Sequence, residues 1–236
     1  MKVTIIIPVY NEAATIRQVI AAVRRVPLSK EIIVVDGNST DGTAEILQEE
    51  NEKQDLNVIF QKDRNGRGGA LREGMRVCTG DIVVFQDADL ELDPACLPEL
   101  VQPIVDGQCQ FVLGSRFLNR TPQMSFLQYW GNRVVTELIN VLWHTRLTDA
   151  ETCYQVFSRR LTQNMKLDRT DMSFSIELLL RLICTGAPYK EIAVSYFPRT
   201  HQEGKKLYWK DGFISLWVVL KYRFLLRKSA TCRADV

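Results

Sequence analysis

The sequence predicts an α/β fold: a mostly parallel, doubly wound sheet with helices on both faces. Three observations predict it. Short β-branched runs alternate with amphipathic segments through the first half of the chain. Polar and acidic residues stand just past those runs, where such sheets bind ligands. No stretch rich in Pro, Gly or Ser breaks the pattern, and no internal repeat replaces it.

The elements follow in order. Val3 to Val9 is an apolar strand, and Ala13 to Arg25 has the helical period with bases at its end. Ile32 to Val35 is the second strand, Gly42 to Lys53 a helix opened by a turn, Val58 to Gln61 the third strand. Arg67 to Val77 is a helix after the glycine-rich Asn65-Gly66-Arg67-Gly68-Gly69, and Ile82 to Gln86 a buried strand. Asp93 and Pro94 read as N-cap and first position of a helix over 94–105. A strand Phe111 to Gly114 follows, then helices near 124–143 and 173–184 and a strand-like Ile192 to Phe197. One continuous domain over 1–212 is expected, with a separate basic, amphipathic segment over 213–236.

The 236 residues, 46% apolar and 25% charged, suffice for a sizeable core. The formal charge of +2 hides an asymmetry. Residues 199–236 hold nine Lys or Arg against three Asp or Glu, a net of +6, which marks a surface for phosphates or anionic lipid. The apolar run Phe213 to Leu220 is too short to cross a bilayer, which needs roughly 20 residues. With Trp209, Trp217 and Tyr222 beside bases, the segment suits either an interfacial helix or a buried helix with cationic ends. Six scattered cysteines without a CxxC pair, and Met1 leading straight into a strand, point to a reducing cytoplasmic location. His144 and His201 alone cannot build a His-rich metal site.

Asp87-Ala88-Asp89-Leu90-Glu91 carries the chemistry. At a strand end the i, i+2, i+4 spacing puts the carboxylates of Asp87, Asp89 and Glu91 on one side while the chain stays extended. Such crowding is costly unless a cation sits among them, and hard oxygen ligands suit Mg²⁺ or Mn²⁺, which in turn bind phosphate. The loop Pro8-Val9-Tyr10-Asn11-Glu12 is neither a Walker A loop nor a dinucleotide fingerprint, which removes most support for ATPase and dehydrogenase readings.

Taken together, Val3 to Glu12 (VTIIIPVYNE), Val35 to Thr43 (VDGNSTDGT), Asn65 to Ala70 (NGRGGA), Asp87 to Glu91 (DADLE) and Gly114-Ser115-Arg116 resemble family 2 glycosyltransferases of the GT-A fold. The likeness is to the branch of dolichyl-phosphate mannosyltransferase and polyprenyl-phosphate glucosyltransferases, and covers about residues 3–212. It implies that Pro8, Tyr10, Glu12 and Asp36 hold the donor's base and ribose. Asp87, Ala88 and Asp89, with Glu91, would hold the metal against the donor diphosphate, and Arg67 would meet an anion at its helix start. Arg116, Arg199, Lys205 and Lys206 would meet phosphate, the last three on a loop hinged at Gly204. Asp149 and Glu151, in Asp149 to Tyr154, would lie on the acceptor side and act as general base if the acceptor is a hydroxyl. A phosphate acceptor, already an anion, needs no base.

The chain departs from the family in two places: Asp36 is followed by Gly37 rather than a second acid, and Glu91 stands where mannosyltransferase relatives often have Gln. The reading drawn from sequence is inverting, metal-dependent transfer of a hexose from a GDP- or UDP-linked donor to a polyprenyl phosphate, on a cytoplasmic protein that touches the membrane peripherally. The competing readings are transfer to a soluble hydroxyl acceptor, such as a sugar or phosphoglycerate, and a non-catalytic nucleotide-sugar binding protein. A nucleotidyltransferase would want a glycine-rich first loop with a base, and Pro8 to Glu12 lacks one. A nucleic-acid module is disfavoured by the apolar character of the basic end.

Overall fold

The computed structural model describes residues 1–53, 55–118, 124–199 and 209–226, with the backbone alone at 209–211. Lys205, Lys206 and the hinge assigned to Gly204 lie outside these residues, as do residues 227–236 of the basic end.

Seven strands form one sheet in the order β3-β2-β1-β4-β6-β5-β7. They are β1 (Val3–Val9), β2 (Lys30–Asp36), β3 (Leu56–Phe60), β4 (Ile82–Phe85), β5 (Phe111–Ser115), β6 (Gln155–Ser158) and β7 (Tyr189–Ala193). All pairings are parallel except those of β6, which runs antiparallel to β4 and β5. The helices are α1 (Ile16–Arg25), α2 (Thr43–Asn51), α3 (Gly66–Val77), α4 (Leu97–Val105), α5 (Phe126–Trp143), α6 (Phe174–Cys184) and α7 (Trp209–Leu226).

The apolar run of β1, broken only by the buried Thr4, is explained by two cores. Ile5 and Ile7 join one with α1 and α4, while Ile6 joins the other with α3, α5, α6 and α7. Because side chains alternate across a strand, every residue of a centrally placed strand is covered, and all seven of β1 are buried.

The expected order of elements is present, with three differences. β6 was not foreseen: it is a four-residue strand slotted between β4 and β5. The last strand lies at Tyr189–Ala193 rather than Ile192–Phe197, because β7 pairs in register with β5 from Phe111↔Tyr189 to Ser115↔Ala193. Past Ala193 the chain instead turns towards the acids, and Tyr196 makes an isolated antiparallel bridge with Leu92. The Asp87–Glu91 segment is not extended; it turns, with Leu90 at φ +62°.

The helix α7 begins ahead of residue 213 and runs as one element. Val218, Val219 and Tyr222 are fully buried beside α5 and α6, and the Tyr222 hydroxyl donates to Glu177 Oε1 at 2.6 Å. Its core-facing side therefore belongs to the domain, while Phe213, Trp217 and Phe224 are exposed. No helix of the described residues is long and apolar enough to cross a membrane. Cys78, Cys96, Cys109 and Cys153 are free thiols.

Candidate active site

The carboxyl ends of β1, β2 and β4 converge, and the loops that leave them are tied to one another. Asn11, at φ +51°, donates its amide to Ser39 Oγ at 2.9 Å. Ser39 in turn donates from its amide to Asp36 Oδ2 at 3.0 Å and from its hydroxyl to Asp36 Oδ1 at 2.5 Å. Asp36 is only 2% exposed. In this arrangement the carboxylate assigned to ribose forms a side-chain turn that holds two loops together. Pro8 is buried in β1, and Tyr10 offers a ring covered by the Arg64 guanidinium, 4.0 Å from its centroid.

The glycine-rich start of α3 has a packing reason. A Cβ at Gly66 would lie 2.4 Å from Thr170 O, and one at Gly68 would lie 2.5 Å from Phe174 Cβ. Only glycine lets α3 come this close to the segment before α6. That approach delivers Arg67, whose Nε donates to Asp87 Oδ1 at 2.9 Å and whose Nη1 donates to Ser175 Oγ at 2.9 Å.

Arg199 reaches the other acids. Its Nη1 and Nη2 donate to Glu12 Oε2 and Oε1 at 2.9 and 3.1 Å, Nη2 is 3.3 Å from Asp89 Oδ2, and its amide donates to Glu91 Oε1 at 2.8 Å. Tyr196 donates its hydroxyl to Glu91 Oε2 at 3.0 Å. Burial first, then the like charges of Asp87 and Glu91, push the Asp89 carboxyl up to about 7 against the pull of Arg199. The acids do crowd, then, although a turn brings them together rather than an extended strand.

The expected three-acid clamp does not stand preformed: among the described residues no three His, Cys, Asp or Glu side chains are grouped to hold a metal. Asp87 is paired with Arg67, Asp89 with Arg199, and Glu91 with Tyr196. The donor chemistry nevertheless fits a hard divalent cation, since Asp87 and Asp89 offer oxygens only and Asp89 is raised by burial and then by like charge, the second of which a cation relieves.

Arg116 and Asp149 stand differently from their expected roles. Asp149 is fully buried, and Arg116 holds it from three sides: the amide and Nε donate to Oδ2 at 3.0 and 2.7 Å, and Nη2 donates to Oδ1 at 2.9 Å. Nη2 also donates to Asn132 Oδ1 at 3.0 Å. A carboxylate saturated in this way is poorly placed to take a proton from an acceptor, which argues against a general-base role for Asp149. It also leaves Arg116 committed to Asp149 rather than open to phosphate. Glu151 is half-buried in the turn that follows, and Ala88 is buried beside the acids. Tyr154, two residues beyond Thr152, is a core residue donating its hydroxyl to Gln86 Oε1 at 2.6 Å.

Several participants escaped the sequence reading: Ser39, Arg64, Asn132, Cys153, Ser175 and Tyr196. Burial first, then the charge of Asp87, push the Cys153 thiol well above its usual range, so it stays neutral. Of these Ser39 and Cys153 lay inside the quoted motifs Val35 to Thr43 and Asp149 to Tyr154, and Tyr196 stood as an aromatic just upstream of Pro198-Arg199. The arrangement can exchange partners: the guanidiniums of Arg67 and Arg199, now on carboxylates, have the planar geometry that also binds phosphate.

Comparison with known proteins agrees in one direction. The family model Glycosyl transferase family 2 matches residues 4–165. A dolichol-phosphate mannosyltransferase of Pyrococcus furiosus is 35% identical over 120 residues, covering 50% of this chain and 34% of its own length. An undecaprenyl-phosphate 4-deoxy-4-formamido-L-arabinose transferase of Pseudomonas fluorescens is 30% identical over 209 residues, covering 86% of this chain and 59% of its own. The chain therefore spans less than two thirds of either relative. Among solved structures, glucosyl-3-phosphoglycerate synthase of Mycobacterium tuberculosis matches with a TM-score of 0.69 at 24% identity, over 94% of this chain and 80% of its own.

Proposed function

Because the chain belongs to family 2 of the glycosyltransferases, with the GT-A fold, we propose that it transfers a hexose, with inversion, from a nucleoside diphosphate sugar to a polyprenyl phosphate. The donor lies across the carboxyl ends of β1, β2 and β4. Its base and ribose fall to the loops of Tyr10, Glu12 and Asp36, and its diphosphate to the acids. Asp87 and Asp89 would hold Mg²⁺ or Mn²⁺, which supplies charge neutralisation for the departing diphosphate. Arg199, spanning Glu12 and Asp89, would turn to the phosphates where those acids hold a cation.

One observation carries the choice of acceptor: Asp149 is locked by Arg116 inside the protein. A hydroxyl acceptor must lose a proton as it attacks, whereas a phosphate attacks as an anion and needs only orientation. Loss of a base candidate favours phosphate. The two relatives named for dolichol phosphate and undecaprenyl phosphate support the same reading. Peripheral membrane contact belongs to it, since such an acceptor is anchored in lipid.

The test is incubation with a panel of nucleotide sugars and with polyprenyl phosphate or phosphoglycerate, each with Mn²⁺ or EDTA. Transfer to polyprenyl phosphate that EDTA stops is expected. Asp89→Ala should abolish it with circular dichroism unchanged, and retained activity would remove the metal assignment. Glu151→Gln should keep most of the activity. A loss on the order of 10²-fold or more would instead make Glu151 a general base and favour a hydroxyl acceptor.

A further inference from the structure

We propose that a cleft between the carboxyl half of α3 and residues 159–168 is a second anion site, for a small soluble molecule bearing a diphosphate. The cleft, open to solvent on one side, has a volume of about 590 Å³ and is lined by Arg72, Arg76, Arg159 and Lys166, with Asp168 as its one acid. That volume lies within the range of small-molecule sites, roughly 300–1,000 Å³.

The cleft is remote from the catalytic acids. Arg159 donates its amide to Asp81 O at 2.9 Å, and Ser158 pairs with Ile82, so this end of β6 adjoins the amino end of β4. The acids stand past the carboxyl end of the same strand.

Its walls are built. Arg72 Nη1 donates to Leu167 O at 2.9 Å and to Asp168 O at 3.2 Å, fixing one guanidinium across the cleft. Met75, Met165 and Leu167 anchor both walls on the core. None of the ion pairs among the described residues involves Arg72, Arg76, Arg159 or Lys166. The one lining acid, Asp168, has its side chain 77% exposed and stands 3.8 Å from Arg181.

Four cationic side chains line one hollow against a single acid, so its potential favours an anion. The carboxyl end of α3 adds only about half a negative charge from its dipole. Guanidiniums match phosphate oxygens bidentately, and two adjacent phosphates use four cationic groups where one does not.

Calorimetric titration with inorganic pyrophosphate, in EDTA at low ionic strength, tests the site. Wild type should bind saturably, and Arg76→Glu/Lys166→Glu, at two exposed positions, should lose that class of site or weaken it about tenfold or more. Arg25→Glu/Arg146→Glu makes the same charge change elsewhere and should bind as wild type does. Equal weakening in both double variants would mean diffuse charge and overturn the proposal. So would undiminished binding in the first variant, or no saturable binding at millimolar pyrophosphate. If instead the first variant lowers only binding to vesicles with anionic headgroups, the ligand is a lipid and the soluble molecule is excluded.

Discussion

At the scale of residues, the site is a set of carboxylates held by arginines, and two consequences can be measured. Asp89 titrates near 7 in the folded chain against an ordinary value near 3.8, owing to burial and then to Asp87 and Glu91. Between those values the folded protein keeps a proton that the unfolded chain has released, so stability falls as pH rises through the window. Calorimetric unfolding in EDTA from about pH 5 to about pH 7 should show this fall, and Asp89→Asn should flatten it. An unchanged slope in the variant would place the titration elsewhere. Arg116→Ala leaves the fully buried Asp149 without its partner, and breaking a buried pair typically costs about 3–5 kcal/mol. Denaturant unfolding reads that loss; a variant as stable as wild type would mean that Asp149 had been neutralised or rehydrated. The pairing could not be read in the sequence, because the partners lie in different elements and each looks like a free phosphate-binder or base. By contrast the arginine of the Asn65 to Gly69 turn was marked as able to meet an anion at a helix start, and it stands on the carboxylate of Asp87.

The same division holds among elements. The central strands were legible because burial on both faces leaves an apolar run, unbroken in β4 and broken only by Thr4 in β1. β7 was not, since its burial is partial and its run reads Tyr-Lys-Glu-Ile-Ala; the more apolar stretch downstream drew the expected strand past its true place. The four residues of β6 offered too short a run to see. The acids of Asp87 to Glu91 were marked by composition, but their convergence by i, i+2 spacing was the wrong reason, because Leu90 turns the chain. The glycines of α3 were marked as a phosphate turn, whereas their neighbours show them also to be contact points. Gly68→Ala should therefore cost about 1–3 kcal/mol, since its Cβ would meet Phe174 Cβ at 2.5 Å and Asp171 O at 2.9 Å. Gly131→Ala in α5 meets nothing within 4 Å and should stabilise by about 1 kcal/mol. Thermal unfolding of the two variants compares them, and equal shifts would mean that helix propensity alone decides both.

For the whole molecule, the proposed lipid-borne acceptor raises the question of how a chain whose described residues hold no helix long and apolar enough to span a membrane would meet it. Val135 and Ile139 of α5 and Val218, Val219 and Tyr222 of α7 are buried in one core on one side of the sheet. Phe126, Trp130, Val134 and Val141 recur on the opposite face of α5, and Phe213, Trp217, Leu220 and Phe224 on the opposite face of α7, all exposed. Two neighbouring helices that bury their inner faces together present their outer faces together, and the outer faces are apolar where a surface helix is normally polar. The aromatic residues have bases beside them: Lys221 Nζ lies 4.8 Å and the Arg169 guanidinium 5.8 Å from the Trp217 ring. Aromatic bodies flanked by cations are the composition of helices that lie in an anionic membrane surface. On this reading the protein should float with vesicles containing anionic lipid. Phe213→Ser/Trp217→Ser/Phe224→Ser should cut vesicle affinity about 100-fold or more, because each aromatic buries roughly 150–250 Å² of surface. Since all three side chains are exposed, the variant should unfold at the wild-type temperature, which separates lost lipid contact from lost structure. Undiminished flotation of that variant, or flotation indifferent to lipid charge, would mean that this face meets something other than a bilayer.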